Sequence, residues 1–149
     1  MRVMLVCSAG GHLNELERLR DAFAGHELSL VTYHGPRGDE PMAGVRTYLI
    51  ENIGASPLKL LRGLPTILRA LLRERPHAIV STGSEIAIPF FYLAKVLRIH
   101  GLYIESWCRV STPSGTGRLV YPIVDRFFVQ WPGLLERYGS KAELMGRVL

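Results

Sequence analysis

The chain opens on a continuous apolar run, Arg2 to Cys7, of the kind that forms a parallel strand buried on both faces. After the turn Ser8-Ala9-Gly10-Gly11 the period changes. Leu13, Leu16, Leu19, Ala22 and Phe23 recur at helical spacing, predicting a helix over His12–Phe23 that stops at Gly25. Glu27–Tyr33 and Arg46–Ile50 read as further strands, separated by a polar loop, Gly35–Pro41. Pro57–Arg75 is a second helix, with a kink expected at Gly63-Leu64-Pro65. Strand Ala78–Ser81, turn Thr82-Gly83-Ser84, helix Glu85–Ile99 and strand Gly101–Glu105 follow. A Ser/Thr-rich loop, Ser111–Thr116, leads into a short helix ending at Tyr121, then strand Asp125–Gln130 and helix Pro132–Tyr138. Strands alternating with helices imply an α/β fold, a Rossmann-like parallel sheet with helices on both faces. In such sheets ligands bind beyond the carboxyl ends of the strands.

The 149 residues suit one domain, taken as 1–149, and the 48% hydrophobic content excludes disorder. The longest uncharged apolar run in the middle of the chain, Ile86–Ala94, is far short of the roughly 20 residues that a spanning helix needs. Cys7 and Cys108, the two cysteines, lack metal-site spacing and read as free thiols in a reducing compartment. The net charge of +5 and pI near 9.6 favour anionic partners: nucleic acid, phosphorylated substrates or an anionic membrane.

Three turns fall on the carboxyl edge. In Ser8-Ala9-Gly10-Gly11-His12 the paired glycines let the backbone approach a ligand, and the helix start offers free N–H groups to an anion. A plain packing turn explains the same residues. The spacing is neither the dinucleotide fingerprint nor a P-loop. His12, at the mouth of this loop, is a candidate general base or a mere helix cap. Thr82-Gly83-Ser84 is a second turn suited to an oxyanion or a sugar hydroxyl. In the third, Glu105-Ser106-Trp107-Cys108-Arg109, Arg109 can pair with a phosphate. Glu105 can accept from a sugar hydroxyl or hold His12; a Glu105–Arg109 ion pair is the alternative. Gln130 and Trp131, ending the last strand, are candidate partner contacts.

On the helix Pro57–Arg75, Lys59, Arg62, Arg69 and Arg73 fall on one narrow face. Leu60, Leu61, Leu64, Ile67, Leu68, Leu71 and Leu72 fall on the opposite arc. A basic amphipathic helix of this kind docks on membranes, or is an ordinary crossover helix with its leucines on the sheet. Both hold if the part near Pro65 protrudes. A nucleic-acid surface is disfavoured, because no aromatic-and-basic stacking platform accompanies the charge.

Taken together, five segments resemble one family over nearly the whole chain. They are Ser8-Ala9-Gly10-Gly11-His12, Ser81-Thr82-Gly83-Ser84, Glu105-Ser106 with Arg109-Val110, Asp125-Arg126-Phe127-Phe128-Val129-Gln130-Trp131-Pro132, and Gly146-Arg147. The family is the acceptor-side, membrane-docking subunit of split GT-B glycosyltransferases. It serves dolichol-linked oligosaccharide synthesis in eukaryotes and capsule or exopolysaccharide assembly in bacteria. The resemblance implies the N-terminal half of a GT-B enzyme. A separate small subunit would supply the C-terminal half and bind the nucleotide-sugar donor, a UDP-sugar, with no cofactor or metal on this chain.

This chain would then bind a polyprenyl-diphosphate-linked saccharide through Ser8, Gly10, Gly11, Thr82, Gly83, Ser84 and Arg109. His12 would be the base, with Glu105 as alternative or orienter. Eukaryotic members usually carry an N-terminal spanning helix; its absence here leads to the expectation of peripheral attachment at the cytoplasmic face, directly or through the partner. Two other functions compete with this one. The chain is a non-catalytic scaffold that recruits a catalytic partner to the membrane, or a free-standing enzyme that binds a nucleotide or phosphosugar.

Overall fold

A computed structural model describes residues 1–35, 42–54 and 56–148. Its strands are β1 (Arg2–Val6), β2 (Glu27–Tyr33), β3 (Arg46–Ile50), β4 (Ala78–Ser81), β5 (His100–Ile104), β6 (Arg126–Val129) and β7 (Ala142–Leu144). Its α-helices are α1 (Gly11–Arg18), α2 (Pro57–Glu74), α3 (Ala87–Val96), α4 (Gly115–Val120) and α5 (Leu135–Tyr138). The seven strands form one parallel sheet in the order β3-β2-β1-β4-β5-β6-β7.

Parallel crossovers are right-handed, so the direction of travel decides which face a helix covers. From β1 the chain first moves outward to β2 and β3, and α1 packs on one face. From β3 it crosses back over β1 to β4 and continues to β7, placing the later helices on the other face. Alternation along β1 serves both layers. Met4 and Val6 join Ile67, Leu71, Phe90, Phe91, Tyr103 and Phe127 in the larger core. Val3, Leu5 and Cys7 join Leu13, Leu16, Leu30, Val80 and Ile104 in the smaller one. An aromatic stack ties the far edge together: Tyr103 lies 5.1 Å from Phe127, and Phe127 4.4 Å from Tyr138, between ring centroids.

The expected fold class is observed, and the differences are local. The first helix ends at Arg18 and tightens into a 3₁₀ turn, Arg20–Phe23, where the Leu19 N–H is shared between the Glu15 and Leu16 carbonyls. The third helix is shorter than Glu85–Ile99 because Ser84 (φ 75°) and Arg98 (φ 58°) adopt left-handed backbone on either side of it. Helix α2 runs unbroken through Pro65. Both Pro65 and Leu61 are exposed, so the carbonyl that loses its N–H partner can be hydrated. Strand β7 had no signal in three residues; its place is held by pairing to β6 and by the Arg126–Glu143 ion pair at 2.7 Å. The Gly35–Pro41 loop lies outside the described residues from position 36 onward.

The face of α2 needs a larger correction. Leu60, Leu64, Ile67, Ala70 and Leu71 turn inward, but Leu61 (64% exposed), Leu68 (38%) and Leu72 (55%) do not. With Leu58 and Pro65 they make an outward stripe with spacings of three and four residues, beside Lys59, Arg62, Arg69 and Arg73, all exposed. The sheet needs a narrower apolar arc than the sequence offers.

Candidate functional site

The strand order reverses between β1 and β4, and the loops leaving these two strands meet at the carboxyl edge. Gly10 starts α1 from φ 111°, ψ −134°, a conformation that favours glycine, and no side chain caps the helix. The first-turn N–H groups are therefore free of side-chain acceptors. The Thr82 hydroxyl donates to the His12 carbonyl at 2.8 Å and stitches the two loops together. Gly83, at φ 132°, lies against the imidazole: a Cβ there would stand 2.7 Å from His12 Cε1 and 3.0 Å from Nδ1.

These loops and the one after β5 enclose an open pocket of about 450 Å³. Gly11, His12, Ser84, Glu85, Glu105 and Arg109 line it, with Glu15, Tyr103, Ser106, Trp107, Cys108, Ser114, Gly115 and Thr116. His12 is half-buried, and its Nδ1 is shielded without a hydrogen-bond partner among the described residues. Burial holds the imidazole below its ordinary pKa of 6.5, outweighing the Thr82 backbone and the carboxylates of Glu105 and Glu85; Arg109 adds to the depression. The neutral, proton-accepting form therefore dominates at neutral pH. Burial disfavours charge on Glu85 too, but hydrogen bonds from Ser84 and Tyr33 outweigh it and hold that carboxyl below its ordinary range.

Glu105 is fully buried, and four donors hold it: the Ser106 N–H (3.0 Å), the Ser114 N–H (3.1 Å), the Ser114 hydroxyl (2.9 Å) and the Tyr138 hydroxyl. So saturated, it anchors the start of α4 and the end of α5 to β5. The Glu105–Arg109 ion pair is not formed, and Arg109 makes no ion pair among the described residues. Its guanidinium is exposed in the pocket, near enough to influence His12.

The other expected residues divide. Gly11 and Ser84 line the pocket; Gly10, Thr82 and Gly83 shape the loops around it; Ser8 is half-buried and outside the lining. Gln130 is buried, its amide donating to the Glu105 carbonyl (3.0 Å) and accepting from the Val148 N–H (2.7 Å). It holds the C-terminal segment and offers no surface to a partner. Trp131 is half-buried, donates to the Trp107 carbonyl at 2.6 Å and lies under Arg147, 4.1 Å from the ring centroid. Glu15 was missed. Its signal was its spacing three residues after His12, on the same helix face. Among the described residues no His, Cys, Asp or Glu side chains cluster as a metal site.

Residues 46–148, more than two thirds of the chain, match the family described as "Oligosaccharide biosynthesis protein Alg14 like". The chain belongs to this Alg14-like family. The UDP-N-acetylglucosamine transferase subunit ALG14 of Yarrowia lipolytica is 26% identical to it over 97% of this chain and 80% of that protein. The human ALG14 subunit is 35% identical over 52% of this chain, and the match spans only 38% of the human protein. The family match begins at β3; the Yarrowia alignment extends over nearly all of the Alg14-like chain.

Among solved structures, Acinetobacter baumannii MurG superposes with a TM-score of 0.76 at 20% identity, over 97% of this chain and 45% of MurG. The UDP-GlcNAc 2-epimerase of Neisseria meningitidis gives 0.74 at 11% identity, over 99% of this chain and 47% of that one. These likenesses show the fold: the Alg14-like chain is equivalent to the N-terminal half of a GT-B enzyme and spans less than half of either structure.

The contact between Gly83 and His12 yields a prediction. Gly83→Ala must displace the imidazole and strain the turn. We expect about a 10–100-fold loss of sugar transfer, with a stability loss of about 1–3 kcal/mol. Transfer assays beside thermal melts check both.

Proposed function

We propose that this chain is the acceptor half of a two-subunit glycosyltransferase that moves N-acetylglucosamine from UDP-GlcNAc to a polyprenyl-diphosphate-linked saccharide. The observation that carries the proposal is a half-buried His12 sharing a pocket at the switch point of the sheet with Arg109, which makes no ion pair among the described residues. In this reading Arg109 and the free N–H groups of α1 hold the acceptor diphosphate. As the acceptor hydroxyl attacks the anomeric carbon, the new C–O bond forms and the bond to UDP breaks, inverting the centre. The hydroxyl proton passes to His12. UDP-GlcNAc sits on the partner, the C-terminal half of the pair. The names of the ALG14 relatives, UDP-N-acetylglucosamine transferase subunits, support the donor and the need for a partner.

Two surfaces fit this division of labour. The outward stripe of Leu58, Leu61, Leu68 and Leu72 beside four basic residues suits an anionic membrane, entered to the depth of the side chains. Among the described residues no helix is long and apolar enough to cross a bilayer. Helix α2 starts at the carboxyl edge, so the first turn of the stripe, with Leu58 and Leu61, lies at the pocket end of the sheet, and the stripe runs on toward the amino edge through Leu68 and Leu72. In this reading α2 docks the chain on the cytoplasmic face of the membrane.

The second surface is on the face that carries α1 and the 3₁₀ turn after it. There a groove of about 430 Å³, lined by Leu19, Phe23, Ile104, Phe128 and Met145 with Arg18 and Arg147 among its residues, lies beside Trp131. The partner subunit docks there. Met145→Asp, at a residue 67% exposed, should abolish co-purification of the partner without unfolding the chain. The test of the proposal is reconstitution of both subunits with UDP-GlcNAc and a short-chain prenyl-diphosphate-GlcNAc. The expected product is heavier by one N-acetylglucosamine; no product, with both chains folded and associated, refutes the proposal.

A further inference from the structure

Three residues after His12, on the same face of α1, Glu15 is 3% exposed, although it is a carboxylic acid lining a polar pocket. Its Oε1 accepts from the Ser106 hydroxyl at 2.7 Å, and its shielded Oε2 has no close hydrogen-bond partner among the described residues, with the Trp107 backbone and the Gln130 amide near the carboxyl. Ser106 is the first residue of the turn after Glu105. Its N–H donates to Glu105 at 3.0 Å, and its carbonyl accepts from the Arg109 N–H at 2.9 Å, closing the turn. Hydrogen bonds thus run without a break from the helix bearing His12 to the turn bearing Arg109.

We propose that Glu15 is a positioning residue of this site: through Ser106 it fixes the Ser106–Arg109 turn against α1 and so sets the separation of His12 and the Arg109 guanidinium. This rests on reading the pocket as the acceptor site. A buried carboxyl is costly, and a bare apolar residue would pack the same space without that cost. The geometry gives the carboxyl a task that packing does not: it is the acceptor that orients Ser106. Burial first, and then Glu105, push Glu15 above its ordinary pKa of 4.5, against hydrogen bonding from Ser106, the Trp107 backbone and Gln130. Glu105 faces it from the end of β5 and Gln130 from the end of β6; His12 is on its own helix and Arg109 on the turn. Glutamine is a near-isostere of the carboxyl and keeps an oxygen that can accept from Ser106.

Glu15→Gln, Glu15→Leu and Ser106→Ala, each in the reconstituted two-subunit complex, test the proposal. With short-chain prenyl-diphosphate-GlcNAc as acceptor, the leucine and alanine variants should raise acceptor KM about tenfold, with KM for UDP-GlcNAc unchanged. The glutamine variant should stay close to wild type. Amide exchange at residues 107–109 should be about tenfold faster in the leucine and alanine variants only. Ser106→Ala keeps the test decisive if Glu15→Leu does not fold. Acceptor KM unchanged in both the leucine and alanine variants overturns the proposal. If the wild-type complex transfers no sugar, the acceptor reading fails separately, and the exchange measurement decides: wild-type protection of the turn in Ser106→Ala overturns the role of Glu15.

Discussion

Replacing His12 by alanine should lower turnover of the reconstituted enzyme by about 10²–10⁴-fold and leave KM for the acceptor little changed. The base takes its proton in the transition state, while Arg109 and the α1 amides, which hold the substrate, remain. The pH dependence gives the same assignment an independent reading. Burial keeps the imidazole below 6.5, so the wild type should retain activity through that pH and lose it only on further acidification. The same depression bears on stability. As pH falls through 6.5, the unfolded chain takes up a proton at His12 that the folded chain resists, so stability declines toward acid. Turnover unchanged in His12→Ala would move the chemistry to the partner and leave this chain as a membrane scaffold.

The second large effect concerns the membrane. Leu61, Leu68 and Leu72 changed together to serine should release the protein from anionic vesicles. Each leucine contributes on the order of 1–2 kcal/mol when its exposed part enters the interface, so partition should fall more than about a hundredfold. Arg62, Arg69 and Arg73 changed to glutamate remove about 1 kcal/mol each and add repulsion. Salt distinguishes the two contributions. Added salt weakens the arginine part, because those charges are exposed, and spares the leucine part. Vesicle sedimentation with phosphatidylserine present and absent measures both. Binding unaffected by either set of changes would refute the role of α2.

What could be read from the sequence follows the strength of each local signal. Strands such as Glu27–Tyr33 and Arg46–Ile50 were legible to the residue because β-branched or apolar runs ended in turns. Strand–helix alternation was enough for a parallel sheet with helices on both faces, while the strand order is set by which strands pair in three dimensions. β7 was not legible, since three residues carry no period and tertiary pairing alone defines them. On α2 the apolar arc was read as one surface for the sheet or the membrane, whereas the structure divides it: Leu60, Leu64, Ile67 and Leu71 turn inward and Leu61, Leu68 and Leu72 stay exposed.

The site was legible at its loops and opaque beneath them. Gly10, Gly11, His12, Thr82, Gly83 and Ser84 announce two turns that topology must bring together. That Thr82 binds the His12 carbonyl and that Gly83 backs the imidazole are facts of three dimensions. Glu105 was visible as a charge after a strand, but its four donors come from α4, α5 and its own loop. Glu15 looked like one more polar residue on an amphipathic helix; only the approach of Ser106 shows it buried.

The account stands most directly on which ligand this chain holds when its partner is absent. Isothermal titration of the purified chain in detergent, with short-chain prenyl-diphosphate-GlcNAc and separately with UDP-GlcNAc, measures this. The expected result is saturable binding of the diphosphate-linked acceptor, weakened by Arg109→Ala, and no binding of UDP-GlcNAc. Tight binding of UDP-GlcNAc by the chain alone, with none of the acceptor, would contradict it.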